Sequence, residues 1–524
     1  EQDVIDVISH QLNIHRFHSD RVSLDQSLTK FIPLSEAKDS KMVPVQKKEG
    51  LLYLAMTDPL DINALDQAEL LSNCNVEPLI CSESELQSLF SAVYGEGSET
   101  MQVMEEFEGL EADKDDQETK SGLFTTGEIE VSALRDMAQE APVIRLVNSL
   151  LAQAIREKAS DVHISPEKDH VQLRFRIDGL LQEKPAPPKS MFLPVVSRLK
   201  ILANMDIASS LIPQDGRFTI TMQGKEINVR ASSLPTIHGE NLVLRLLDMS
   251  AGILNLKDLG MDKPLQDMLE ESIHRPYGMI LSTGPTGSGK STSLYSIIKS
   301  INTPDVNIIT LEDPVEYRVP KVRQVQLNRK AGMTFASGLR SIMRQDPDVI
   351  MVGEIRDLET ATISVQAALT GHRMLSTVHT NDAAGAITRL TDMGIEPFLV
   401  ASSLLVSFAQ RLVRRICPLC AQAYTPDRRL LNYWALEDRT DITFMRGQGC
   451  YQCNQTGFQG RTGVFEILVN DSQVQDMILE RRSGQYIARV LHREGKMRTL
   501  AEDALDKVSR GITTLEEATS KVMV

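Results

Sequence analysis

A chain of 524 residues is too long to gather around one hydrophobic core and is expected to divide into about three or four domains. Its net charge of -15 opposes a nucleic-acid backbone as the main ligand, because phosphate binding takes a basic surface. No stretch reaches the roughly 18 apolar residues of a membrane span: the most apolar run, Phe398 to Phe408, is short and broken by serines, so a soluble chain is expected, and one that begins at Glu1 rather than Met reads as a fragment.

From Val4 to Tyr94, short apolar strands such as Leu51 to Met56 alternate with helix-like stretches such as Ile62 to Leu71, which predicts a small α/β domain over 1–94. Between Gly95 and Gly127 the composition shifts to Glu and Asp, as in Glu105-Glu106-Phe107-Glu108 and Asp113-Lys114-Asp115-Asp116. Such a segment buries too little to order itself, so 95–130 reads as a flexible acidic linker. A second domain follows over 131–250. Val143, Val147, Leu150, Leu151 and Ala154 recur at helical spacing, with an end expected near Ala159-Ser160. Strict alternation in Val171 to Ile177 predicts a strand that puts Arg174 and Arg176 on the face opposite the apolar residues. A hairpin is expected at Gln223-Gly224, with further strands at Ile227 to Arg230 and Leu242 to Leu246.

The third region, 251–416, opens with an apolar run, Gly278 to Leu281, that leads into Gly284-Pro285-Thr286-Gly287-Ser288-Gly289-Lys290-Ser291, followed by Thr292. This is the Walker A pattern. Its glycines let successive backbone N–H groups converge on phosphate oxygens, Lys290 reaches the β/γ-phosphates and the Ser291 hydroxyl can ligate Mg²⁺. The helix expected from Ser293 to Ser300 points its N-terminal partial charge at the same phosphates. Three more apolar strands follow, at Asn307 to Leu311, Asp348 to Val352 and Arg373 to Val378. Strands alternating with helices imply a mostly parallel sheet with its chemistry at the strands' C-terminal ends, where Glu312, Asp313, Glu316, Glu354 and His379 fall. Beyond them lie Cys417-Pro418-Leu419-Cys420 and Cys450-Tyr451-Gln452-Cys453, two C-x-x-C knuckles that suit one tetrahedral zinc, with a disulfide or a redox pair as the alternatives. A module over 417–462 would hang on that metal, and 463–524 reads as helical. Cys74 and Cys81 stand apart and read as ordinary thiols.

These motifs resemble those of the secretion ATPases of the type II secretion and type IV pilus assembly family. Thr310-Leu311-Glu312-Asp313-Pro314-Val315-Glu316 is similar to that family's Asp box. Val349-Ile350-Met351-Val352-Gly353-Glu354 resembles its Walker B, and Thr370-Gly371-His372 through His379-Thr380-Asn381 its His box. The resemblance implies a RecA-like P-loop motor, a PAS-like α+β arm domain bearing arginines, a small N-terminal docking domain and a tetracysteine zinc module. Met393 to Phe398, Gln410 to Arg415 and the cysteines resemble the type II secretion branch more than the pilus assembly branch.

By the same resemblance, Glu312 would activate water and Glu354 would hold Mg²⁺ beside Ser291, with the reverse assignment as the alternative. Arg230 and Arg245 of the arm domain would reach the γ-phosphate. Arg340 and Arg344, at i and i+4 on a helix expected from Gly338 to Gln345, would add positive charge, and His379 and His372 would sense the γ-phosphate or an interface. The family implies ATP, Mg²⁺ and Zn²⁺, a homohexamer, and cytoplasmic work at the inner membrane of a Gram-negative-type bacterium through the cytoplasmic domain of a platform protein. Intact Lys290, Glu312 and Glu354 oppose an ATP-gated scaffold without turnover. Net acidity, and the lack of aromatic and basic interleaving near the cysteines, oppose a nucleic-acid translocase.

Overall fold

The computed structural model describes residues 14–17, 26–48, 50–94, 135–222, 225–248, 252–437, 439 and 441–523. The expected acidic linker and the Gln223-Gly224 turn lie outside them. The chain forms two units, one of residues 1–247 with 417–421 and 447–458, the other of 248–416, 422–446 and 459–524. The region expected as a single module over 417–462 is therefore divided between them.

In the first unit, β1 (Met42–Lys48) is antiparallel to β2 (Leu51–Met56), and β2 is parallel to β3 (Asn75–Ile80) after a crossover through α1 (Ile62–Ser72). Asp61 caps α1 by accepting the Ala64 N–H, and α2 (Glu83–Tyr94) closes the domain by burying Leu86, Leu89 and Val93 with Val43, Val45 and Leu79.

A six-stranded sheet follows. Its strands are β4 (Asp161–Pro166), β5 (Val171–Ile177), β6 (Leu180–Lys184), β7 (Gln214–Met222), β8 (Lys225–Thr236) and β9 (Gly239–Asp248), in the order β6-β5-β4-β9-β8-β7. One face takes Val171, Leu173 and Phe175 into a core with α3 (Ala141–Arg156) and α4 (Lys189–Leu202). Alternation then puts Arg174 and Arg176 on the other face, as the sequence predicts. The first helix stops where Lys158 takes a left-handed φ of 55.

The second unit is built on seven strands in the order β12-β11-β13-β14-β10-β15-β16. They are β10 (Gly278–Thr283), β11 (Ile308–Glu312), β12 (Arg323–Gln326), β13 (Val349–Val352), β14 (Arg373–Val378), β15 (Leu404–Ile416) and β16 (Phe458–Val469). The neighbouring strands from β12 to β15 all pair parallel, and β10 and β13 are buried along their whole length, as a sheet covered on both faces requires. Among the covering helices are α5 (Lys263–Ile273), α6 (Lys290–Ile301), α7 (Phe335–Ile342), α8 (Leu358–Leu369) and α9 (Gly385–Asp392).

The apolar run Phe398 to Phe408 is split between α10 (Pro397–Ser403) and the start of β15. Among the described residues no helix is long and apolar enough to cross a membrane. The C-terminal region is helical only after β16, the edge strand of the sheet, in α11 (Ser472–Leu479), α12 (Gly484–Arg493), α13 (Leu500–Ser509) and α14 (Leu515–Val522). Its buried residues Val474, Ile487, Leu500 and Leu515 join the core around the seven-stranded sheet rather than a separate one.

The C-terminal helices are fastened by buried charge. Asp503 of α13, fully buried, accepts the Phe465 N–H at 2.8 Å and the Lys507 ammonium at 2.5 Å. Asp503→Ala leaves that ammonium unpaired and is expected to cost about 3–5 kcal/mol, seen as a lower denaturation midpoint. Replacing both residues with apolar side chains of similar volume is expected to recover most of the loss.

Candidate active site and metal centre

β10 delivers the chain to the phosphate-binding loop. Gly284, Gly287 and Gly289 have φ of 140, 78 and 91, values that side-chain-bearing residues rarely adopt. A Cβ on Gly284 would also collide with Ser288 Oγ and the Gln410 carbonyl. Gly289 caps α6 without a side-chain bond, so the first N–H groups of this 12-residue helix are left for a ligand. Ser288 Oγ is buried in the loop and has no partner among the described residues. Ser291 and Thr292 are half-buried in the first turn of α6.

Lys290 is folded onto its own loop, its Nζ 2.8 Å from the Gly284 carbonyl and 2.9 Å from that of Pro285. Burial pulls the ammonium down to about 8, while the charges of Glu354 and Glu316 act in the opposite sense. Both carboxylates thus address the lysine that would meet the phosphates.

The strand-end residues separate into distinct environments. Glu354, just past β13, sits 2.6 Å from Arg356 Nε and 3.3 Å from His379 Nε2. His379 follows β14, whose end Val378 is paired with Thr283 at the mouth of the loop. The stretch beyond it is pinned beside the loop: the Asp382 carbonyl accepts the Thr283 hydroxyl at 3.2 Å and the buried Glu466 accepts the Ala383 N–H at 2.8 Å.

Glu312 differs from the sequence expectation. It is the last residue of β11 rather than part of the loop beyond, and is only 4% exposed. Its carboxylate accepts bonds from the Tyr295 hydroxyl, from Thr310 Oγ at 2.5 Å and from Gln324 Nε2 at 3.2 Å. Burial nevertheless pushes its pKa up. The half-buried carboxylate whose charge reaches Lys290 from this segment belongs to Glu316, four residues on. Sequence reasoning noticed Glu316 but gave it no role. The signal available was the unbroken strand pattern through Glu312, which puts the loop one residue later than the motif suggests.

His372 lies away from the phosphate loop of its own chain. It precedes β14, its carbonyl accepts the Gly278 N–H, and Gly278 pairs with Arg373 at the entry of β10. The six residues of β10 put roughly 20 Å between His372 and the phosphate loop of the same chain. Its Nδ1 lies 3.1 Å from the Ala367 carbonyl, which suits a cap on the end of α8.

Arg340 lies on the exposed side of α7, whereas Arg344 falls in the turn after the helix ends at Ile342, short of the expected end at Gln345. Arg340 pairs with Glu359 of α8, and Arg344 donates to the Arg340 carbonyl at 2.9 Å. In the first unit, Arg245 of β9 donates to the buried Asp161 at 2.9 Å, and Arg230 of β8 lies directly across from Arg217 of β7.

Cys417, Cys420, Cys450 and Cys453 bring their sulfurs within 4.8 Å of one another. Neighbouring Sγ atoms are 3.7 Å apart for Cys417 and Cys450, 3.8 Å for Cys420 and Cys453, and 3.6 Å for Cys450 and Cys453. A zinc tetrahedron with bonds of about 2.3 Å has edges of about 3.8 Å, whereas a disulfide needs about 2.05 Å. The donor set therefore fits a tetrahedral metal and not a disulfide. The backbone N–H groups of Cys450 and Gly457 both point at Cys453 Sγ from 3.2 Å, which favours a thiolate. Cys81, by contrast, is pushed up to about 12 by burial and is inert.

The family model described as "Type II/IV secretion system protein" matches residues 136–520, and the MshEN domain model matches residues 12–100. The chain is 42% identical to the type II secretion system ATPase E of Vibrio cholerae, over 93% of this chain and 95% of that one. It is 39% identical to the type IV pilus assembly ATPase PilB of Myxococcus xanthus, over 99% of this chain and 90% of that one. Among solved structures, the Legionella pneumophila ATPase DotB shares the fold, with a TM-score of 0.54 and 22% identity over 71% of this chain and 94% of that one.

Phosphates held on this loop would select the ammonium form of Lys290, so nucleotide binding at a pH above that group's unliganded pKa of about 8 would take up a proton. Affinity for a nucleoside triphosphate is expected to fall as the pH rises through about 8, approaching about tenfold per pH unit. Titration with a fluorescent nucleotide checks this, and Lys290→Ala should bind weakly without that slope.

Proposed function

The chain belongs to the type II/IV secretion system protein family, and on that premise we propose that it is the ATP-hydrolysing motor of a type II secretion system. The observation that carries the reading is the convergence of a complete phosphate loop with Glu354 and His379 at the adjoining strand ends. Relatives called type II secretion system protein E in Vibrio cholerae, Pseudomonas aeruginosa and Aeromonas hydrophila favour secretion. The PilB relative supports pilus assembly as the second reading.

In this mechanism the loop amides, the N-terminus of α6 and Lys290 take the phosphates, and Lys290 exchanges two carbonyl oxygens for the β/γ-phosphates. Ser291 and Glu354 offer oxygen ligands for Mg²⁺, which when bound neutralises charge on the phosphates. Glu316, rather than the enclosed Glu312, orients the attacking water. His379, hydrogen-bonded to Glu354, reports the γ-phosphate to the Asn381 to Ala383 stretch. Arg230 and Arg245 of the arm domain supply positive charge to the γ-phosphate, with Arg340 and Arg344 as further cations. Arg245 would exchange Asp161 for phosphate, so hydrolysis removes the attraction that draws it in.

The chain works as a homohexamer on the cytoplasmic face of the inner membrane, its N-terminal domain docked on the cytoplasmic domain of a platform protein. The four cysteines hold one structural Zn²⁺. Metal analysis of the purified protein is expected to find one zinc per chain, and Cys420→Ser to lose it together with thermal stability.

Phosphate release tests the motor. Lys290→Ala and Glu354→Ala are each expected to lower kcat by at least about a hundredfold; a wild type no faster than these variants would leave only a nucleotide-gated scaffold. In cells, deletion should block export of folded proteins; loss of pili with intact export would favour pilus assembly.

A further inference from the structure

Tyr295 stands on α6 five residues after Lys290, with its ring 1% exposed. Its hydroxyl is used completely: it donates to Glu312 and accepts the N–H of Glu316 at 3.3 Å, with the Tyr317 N–H at 3.5 Å beside it. The Tyr317 ring meets the Tyr295 ring edge-on, centroids 5.4 Å apart. A second thread starts from the same carboxylate. Gln324 donates to Glu312 and, at 2.8 Å, to the Tyr317 carbonyl, while its amide oxygen accepts the Val319 N–H at 2.8 Å. The segment from Asp313 to Val319 is therefore tied at Glu316, Tyr317 and Val319 to groups that all end on Glu312.

We infer that Tyr295 is a positioning residue for hydrolysis: its hydroxyl, anchored on the buried Glu312, fixes the backbone that carries Glu316 relative to the phosphate-binding helix. The inference rests on the reading of Glu316 as the group that orients water. The physical reason is enclosure. Glu312 is 4% exposed and accepts three hydrogen bonds, two on Oε1 and one on Oε2, so it can hold the loop while its remaining lone pair is closed to solvent water. Burial also holds the Tyr295 phenol well above its usual range, so it remains a neutral donor and acceptor at every working pH. α6 begins at Lys290, so one hydroxyl spans from the helix that grips the phosphates to the loop that aims the carboxylate.

A double-mutant cycle in the full chain tests this, with kcat, fluorescent-nucleotide Kd and thermal midpoint as readouts. Tyr295→Phe keeps the shape and removes the hydroxyl. Glu312→Gln keeps the shape but presents either a second donor to the tyrosine or a lost acceptor to Thr310. Each is expected to lower kcat by about tenfold to a hundredfold, as a small misplacement of a water-orienting group does. Nucleotide Kd should stay within about twofold, and the double variant should be no worse than the worse single. Glu316→Gln should lose more than either.

The inference is overturned if Tyr295→Phe turns over at the wild-type rate, if the two losses multiply, if either variant loses nucleotide binding, or if Glu312→Gln alone abolishes turnover while Glu316→Gln does not. A wild type without phosphate release would instead overturn the proposed function, which keeps the two failures apart.

Discussion

The parallel pairing of β10 between β14 and β15 is the constraint on which the site depends. It fixes Thr283 opposite Val378 and opposite Ala409, so the loop that leaves β10, the histidine that leaves β14 and the glutamine that follows Ala409 emerge together. Gln410 then accepts the Ser293 hydroxyl at 2.7 Å and lies where a Cβ on Gly289 would sit. Shifting any of these strands by one residue would bury the wrong side chains and separate the groups. The apolar length of β10 and β13 makes that register expensive to lose, since both are covered on each face.

The same constraint explains which residues could be read from the sequence and which could not. The phosphate loop was legible because its chemistry is local: glycines at positive φ, a lysine and a helix start occur within a few residues. The alternation in β5 and the two cysteine knuckles were legible for the same reason. Glu312 and His372 were not, because their surroundings come from residues far away in the chain. Only the packing of Tyr295, Thr310 and Gln324 reveals that Glu312 is enclosed. Only the pairing of Gly278 with Arg373 reveals that His372 lies at the opposite end of the strands from the phosphate loop. The strand β16 was hidden by a charge in its middle, Glu466, which is 5% exposed and satisfied by the amides of Ala383 and Leu500.

Buried carboxylates recur as fasteners rather than as reactive groups. Glu312 ties the loop of Glu316, Glu466 ties the stretch after His379 to the start of α13, Asp503 ties α13 to β16, and Glu517 pairs with Arg414 at 2.6 Å. Each accepts backbone or cationic donors in a place where an unpaired charge would be costly. In the second unit they connect the C-terminal helices to the strand ends around the phosphate loop.

The central claim is that a triphosphate sits on Gly284 to Ser291, with Glu316 and not Glu312 facing its terminal phosphate. An experimental structure of the chain with Mg²⁺ and a non-hydrolysable ATP analogue tests it directly. The account predicts that Lys290 leaves the carbonyls of Gly284 and Pro285 for the β/γ-phosphates, while Glu312 keeps its bond to Tyr295 and Glu316 points at the γ-phosphate. A nucleotide bound elsewhere, or Glu312 swung out of its enclosure to meet the γ-phosphate, would contradict it.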